Sequence, residues 1–276
     1  MKLYLKTKDY FNTHESFDLI YNPELDMLIT DPQPKDLDKY YSSDYYISHN
    51  DQRKSIIDKI YKYVKDYSLS KKLRLIDSLN TTQKKLLDIG AGTGDFVKTI
   101  NQNSWKAEGI EPNINARNQA KKKNITLHKD FDTITYDAYD VITLWHVLEH
   151  LPDLENQLIK ITSLLKKNSF IIVAVPNFKS YDAQHYQKFW AAYDTPRHLW
   201  HFSRNSIPAL LRKHNMELIE TKPMYFDSFY VSLLSEKYKS GKNNYLKGFM
   251  LGLISNIKAL YTKEYSSLIY ILKKTQ

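Results

Sequence analysis

Three of the seven glycines in this chain, Gly90, Gly92 and Gly94, fall within five consecutive positions. In a chain of 276 residues such crowding asks for a local cause. Leu86, Leu87 and Ile89 form an apolar run with strand character before the glycines, and Phe96, Val97 and Ile100 follow at helical spacing. The stretch reads as a strand, a tight turn and the first turn of a helix. Glycine in such a turn lets the backbone take positive φ, and lets a ligand approach the main chain with no Cβ in the way. A tight structural turn without a ligand stays open at this point.

Spacing narrows the choice. A dinucleotide fingerprint, G-x-G-x-x-G, has its third glycine three positions after the second, whereas Asp95 occupies that position here. The pattern is instead Asp-x-Gly-x-Gly-x-Gly, beginning at Asp88. An anion beside Asp88 and Asp95 would be repelled, and a cation would not. The segment from Lys85 to Val97 resembles motif I of the class I S-adenosylmethionine-dependent methyltransferases. That resemblance implies that Asp88, Gly90, Ala91, Gly92 and Gly94 wrap the amino-acid end of a sulfonium cofactor that lacks phosphate.

Further along, Lys106 to Glu111 reads as a second strand ending in a carboxylate 17 residues beyond Gly94. A carboxylate there can accept both hydroxyls of a ribose, and a solvated strand-end glutamate is the alternative. The resemblance places Asp130 near an adenine amino group, with Asp132 close enough to substitute. Trp145, at the end of a strand over 139–144, is expected beside the cofactor as well.

After the glycine turn, strands at 85–89, 106–111, 125–128, 139–144 and 169–175 alternate with helices near 94–103, 113–122 and 153–166, the signature of a parallel α/β sheet. Strands near 216–226 and 267–272 complete the expectation. The fold implied is Rossmann-like, with seven mostly parallel strands, an antiparallel C-terminal hairpin and helices on both faces. Residues 1–50 read as a small β-rich appendage containing the aromatic pairs Tyr40-Tyr41 and Tyr45-Tyr46. Residues 51–83 read as two helices joined near Ser68–Ser70, a cap. Residues 84–276 read as the main domain, with insertions at 178–203 and 227–265.

His146, Glu149 and His150 follow the fourth strand at spacing i, i+3 and i+4, which on a helical turn shares one face. The segment resembles the Val-Leu-Glu-His-Leu/Val-Pro-Asp stretch of small-molecule methyltransferases related to the ubiquinone-biosynthesis O-methyltransferases. Some relatives carry Glu-x-x-Glu-His there and hold a divalent metal with a further histidine. His146 replaces the first of those glutamates, and no metal is assigned. His146, His150 and His198 are the candidates for removing the acceptor's proton. The insertion at 178–203 is too rich in aromatics for an ordinary connection. Trp190, Tyr193 and Arg197 are its candidate substrate contacts. Arg197 could bind an acceptor carboxylate or phosphate, or could pair internally with Asp194.

Composition sets outer limits. The chain has no cysteine, which excludes disulfides, thiolate zinc sites and cysteine nucleophiles. Its N-terminus lacks the apolar core of a signal peptide, and a cytoplasmic location is expected. The net charge of +9 suits an acidic partner or merely lysine-rich solvated surfaces. No appended RNA-binding motif is recognisable and the basic charge is dispersed, so a small-molecule acceptor, possibly anionic, is favoured over a nucleic acid. The basic amphipathic segment 246–261 could touch a membrane or a lipid-like substrate, with docking against its neighbours the favoured reading.

Overall fold

A computed structural model describes residues 1–41, 56–134 and 138–275. Tyr45 and Tyr46, read above as part of an aromatic cluster, lie outside the described residues. Among those described, ten strands form two sheets. They are β1 (Lys2–Lys8), β2 (Ser16–Asn22), β3 (Met27–Asp31), β4 (Lys85–Ile89), β5 (Lys106–Ile110), β6 (Tyr139–Trp145), β7 (Leu165–Pro176), β8 (Trp200–Phe202), β9 (Met216–Pro223) and β10 (Ser267–Lys274). One sheet runs β1-β2-β3-β8 and the other β5-β4-β6-β7-β10-β9. The larger sheet is mostly parallel and ends in an antiparallel C-terminal hairpin, the class I arrangement with six strands.

The third of the seven expected strands, over 125–128, is reduced to one bridge between Ile110 and His128. The cause is local. The Ile125 N–H donates to Ala120 O at 3.0 Å, closing the Ile114–Lys122 helix, so the segment reaches its neighbour only at His128. The two helices expected over 51–83 are one continuous helix, Ile56–Asp77. Ser70 does not break it, because its hydroxyl donates back to Asp66 O at 2.9 Å within the helix.

The chain divides into two compact units. One comprises residues 44–144, 160–172 and 273–276. In it β4 pairs in parallel with both β5 and β6, with Asp88 in register with Gly109 and with Thr143. Residues 139–144 of β6 are all buried, as a strand covered on both faces must be. Gly109 is required by crowding: a Cβ there would lie 2.7 Å from Ala91 Cβ and from Leu127 Cδ2.

The other unit comprises residues 1–43, 145–159 and 173–272. Its antiparallel β1-β2-β3 meander gains β8 as a fourth strand, with Leu28 opposite His201. Leu19 and Leu28 pack in a core with Phe178, Tyr186, Trp190 and Tyr193. Two long helices, Asp227–Ser240 and Tyr245–Thr262, complete the unit.

Candidate active site

The turn after β4 takes positive φ at each glycine, 72° at Gly90, 53° at Gly92 and 75° at Gly94. The N–H groups of Gly90 and Ala91 both donate to Ile110 O, at 2.8 and 2.9 Å, which pins the turn to the end of β5. Among the described residues, a Cβ added at Gly92 would meet nothing within 4 Å. Glu111, the residue after β5, accepts the Gly92 N–H through Oε2 at 2.8 Å and the Asn113 N–H through Oε1 at 2.9 Å. A carboxylate thus occupies the position where a phosphate would seek that donor. Each of its oxygens retains lone-pair capacity for a hydroxyl.

Asp88 is 3% exposed and accepts the Thr143 hydroxyl at 2.6 Å. Burial pushes its pKa up to about 7, against the pull of that hydrogen bond. Asp95 behaves differently. Burial alone would raise its pKa, but ion pairs to Lys65 at 2.8 Å and Lys123 at 2.9 Å, with the Thr93 hydroxyl, hold it down to about 2. Two lysines therefore neutralise Asp95, and the expectation that Asp88 and Asp95 together repel anions is corrected. Asp130 is half-buried and caps the short turn Phe131–Thr133 by accepting the Asp132 N–H at 3.1 Å. Asp132 is mostly exposed, 3.8 Å from Lys160.

In the other unit, Trp145 is half-buried, and the segment that follows it departs from the helical face expected for His146, Glu149 and His150. Only Leu148–His150 forms a turn of 3₁₀ helix, and His146 precedes it at φ 56°. His146 lies between two carboxylates, with Nδ1 3.4 Å from Glu149 Oε1 and Nε2 3.1 Å from Asp227 Oδ2. Burial of the ring by itself would lower its pKa, but Asp227 and Glu149 outweigh that and raise it to about 10. The two flanking carboxylates favour the protonated ring, which runs against the role as a base expected for His146. Asp227 opens an insertion 81 residues away, so nothing near His146 in the chain announced it.

Glu149 is 1% exposed, and among the described residues neither carboxylate oxygen accepts a hydrogen bond. Burial would raise its pKa, yet the imidazole of His146 holds it below the usual carboxylate range. His150 Nδ1 lies 3.0 Å from Arg197 O and 3.1 Å from the Tyr41 hydroxyl. His198 Nδ1 lies 2.9 Å from Ala192 O. A carbonyl only accepts, so both Nδ1 atoms carry a proton, and in a neutral ring Nε2 keeps its lone pair. The two rings meet edge to face at 4.5 Å. Burial, reinforced by His150, lowers the His198 pKa to about 4 and keeps that ring neutral. One ligand atom from each of Glu149, His150 and His198 lies within 4.8 Å of the other two. Such a group can take up a proton, and its donor set could also hold a divalent cation.

The expected substrate contacts turn inward. Arg197 is 1% exposed and donates to Asp194 at 2.6 Å, to Asp9 at 3.1 Å and to Tyr40 O at 3.2 Å. The internal ion pair weighed for it is the arrangement found, and it is unavailable to an acceptor. Trp190 and Tyr193 are each 2% exposed and pack edge to face, with the Trp190 Nε1–H donating to Asp182 at 2.8 Å. The aromatic richness of 178–203 is that of a core.

Residues 60–221 match the model of a family described as a methyltransferase domain. The chain belongs to that family. Over 109 residues it is 27% identical to the ubiquinone biosynthesis O-methyltransferase of Coxiella burnetii, covering 36% of this chain and 47% of that protein. The match thus spans about half of the curated relative. Among solved structures, the magnesium protoporphyrin IX methyltransferase of Synechocystis, with bound S-adenosylmethionine, aligns at TM-score 0.52 and 12% identity over 85% of this chain and 93% of its own. A methyltransferase of Archaeoglobus fulgidus that depends on S-adenosylmethionine aligns at TM-score 0.50 and 17% identity, over 76% and 94% of the two chains. At such identities the likeness establishes the fold.

Proposed function

We propose that this chain transfers a methyl group from S-adenosylmethionine to an oxygen, nitrogen or carbon of a small-molecule acceptor, as a cytoplasmic enzyme. One observation carries the reading: the Glu111 carboxylate caps the Gly92 N–H, which favours a ribose with free hydroxyls and disfavours a phosphate. When bound, S-adenosylmethionine supplies a methyl group already activated on a sulfonium sulfur. The Gly90–Gly94 backbone admits the cofactor closely, Glu111 accepts the ribose hydroxyls and Asp130 serves the adenine end. With the donor activated, positioning supplies much of the acceleration.

For an acceptor that must lose a proton, the half-buried His150 receives it at Nε2. Glu149 stabilises the imidazolium that forms, and charged His146 holds Glu149 in place. His198 remains a neutral neighbour. The anionic acceptor suggested by Arg197 loses its basis, because that guanidinium is already paired.

Calorimetry should detect binding of S-adenosylmethionine and S-adenosylhomocysteine but not NAD; heat with NAD alone, or with none of the three, overturns the assignment. A native mass spectrum of the purified protein reads any cofactor or cation that it carries. Once an acceptor is found, His150→Gln should lower kcat on the order of 100-fold or more and leave S-adenosylhomocysteine affinity unchanged. An unaltered kcat removes His150 from the mechanism.

A further inference from the structure

The Tyr245–Thr262 helix is amphipathic in the wrong sense for a helix docked by its apolar side. Its inward face is made of small residues, Gly248, Gly252, Ser255 and Ala259, together with Leu251. A Cβ at Gly248 would lie 2.9 Å from Leu233 Cα, and one at Gly252 would lie 2.8 Å from Phe229 Cα. The backbone therefore packs directly on the Asp227–Ser240 helix, and large side chains have no room on that side. They are turned outward. Leu246, Phe249, Met250, Leu253, Ile257 and Leu260 are between 37% and 75% exposed. At about 100° per residue these six fall on one continuous face with no charged residue among them. Tyr245 and Tyr261, 69% and 87% exposed, stand at its two ends.

Lysines dominate the charge around this row, where the buried Glu236 pairs with Lys247 at 3.0 Å. Residues 237–263 contain six lysines and no Asp or Glu. Lys247 and Lys258 flank the row along one side, and Lys242 and Lys263 lie just beyond its ends. Two copies meeting through this face would bring like charges together on chains that each carry +9, whereas a negatively charged surface complements it. No described helix is long and apolar enough to cross a membrane. The row is built to lie in the plane of an interface.

We propose that the outer face of the Tyr245–Thr262 helix docks on an anionic phospholipid surface, its apolar row entering the headgroup boundary and its lysines meeting lipid phosphates. The proposal stands apart from the methyltransferase reading, since it uses none of the residues assigned there.

The full chain should cosediment with vesicles of equal parts phosphatidylcholine and phosphatidylglycerol, and at least about ten-fold less with pure phosphatidylcholine. Leu253→Glu/Ile257→Glu changes exposed positions and should lower binding roughly ten-fold or more with an unchanged circular dichroism spectrum. Lys239→Glu/Lys242→Glu leaves the apolar row intact and should weaken binding to the mixed vesicles alone. Absence of binding to mixed vesicles, or equal binding by the wild type and Leu253→Glu/Ile257→Glu, overturns the proposal. So does a concentration-dependent dimer that Leu253→Glu/Ile257→Glu dissociates, which would show that a second copy covers the row.

Discussion

Glu111 uses one lone pair on each oxygen to hold the backbone of its own turn. Glu111→Gln removes the carboxylate charge and converts one acceptor into a donor. The affinity for S-adenosylhomocysteine should fall roughly 10- to 100-fold by calorimetry, as expected when a charge-assisted hydrogen bond is lost. His201 has a different task. It is 4% exposed, with Nε2 2.9 Å from the Thr30 hydroxyl, which itself donates to His198 O. Burial, with His198 adding to it, lowers the His201 pKa well below 6.5. As pH falls below about 6.5 the unfolded chain takes up this proton and the folded chain does not, so stability present above that pH is lost toward acid. The slope for this site approaches about 1.4 kcal/mol per pH unit. Urea unfolding between neutral pH and mild acid should show a shallower decline for His201→Gln than for the wild type; parallel declines would contradict the assignment.

At the scale of elements, the cofactor turn depends on close approach of β5 and the helix that follows the glycines. Gly109 on β5 leaves room for Ala91 in the turn, and Val97 Cγ2 in the Asp95–Asn101 helix would lie 2.9 Å from any Cβ placed there. Gly109→Ala should therefore cost about 1–3 kcal/mol by overpacking, measured by denaturant unfolding. It should also weaken S-adenosylhomocysteine binding, because Ala91 must shift. A stability equal to that of the wild type would mean that the turn is more compliant than its contacts indicate. The helix pair Asp227–Ser240 and Tyr245–Thr262 shows the same device, with glycines letting one backbone rest on another. Helical periodicity located the second of them, as the amphipathic segment 246–261, since apolar spacing identifies a helix whichever way its face points. Spacing cannot say which face is buried, and the small residues proved to be the inward ones.

At the scale of the molecule, Arg197 joins parts of the chain 188 residues apart, pairing with Asp9 as well as with the nearby Asp194. Arg197→Met leaves both carboxylates without their cation, Asp9 in full burial. It should destabilise the protein by about 3–5 kcal/mol in denaturant unfolding, the usual cost of breaking a buried pair from one side. A substrate contact would instead change KM and leave stability alone. The sequence by itself determined the glycine turn, the alternation of strands and helices, and the carboxylate that follows β5. Those features rest on local demands: positive φ at neighbouring glycines, hydrophobic period, and a fixed distance along the chain. Only the tertiary structure decided the charges and roles of the polar side chains. Asp95 is neutralised by Lys65 and Lys123, protonation of His146 is favoured by Asp227, and Arg197 is held by Asp9. In each case the deciding partner is distant in sequence, and electrostatic energy depends on separation in space and on burial.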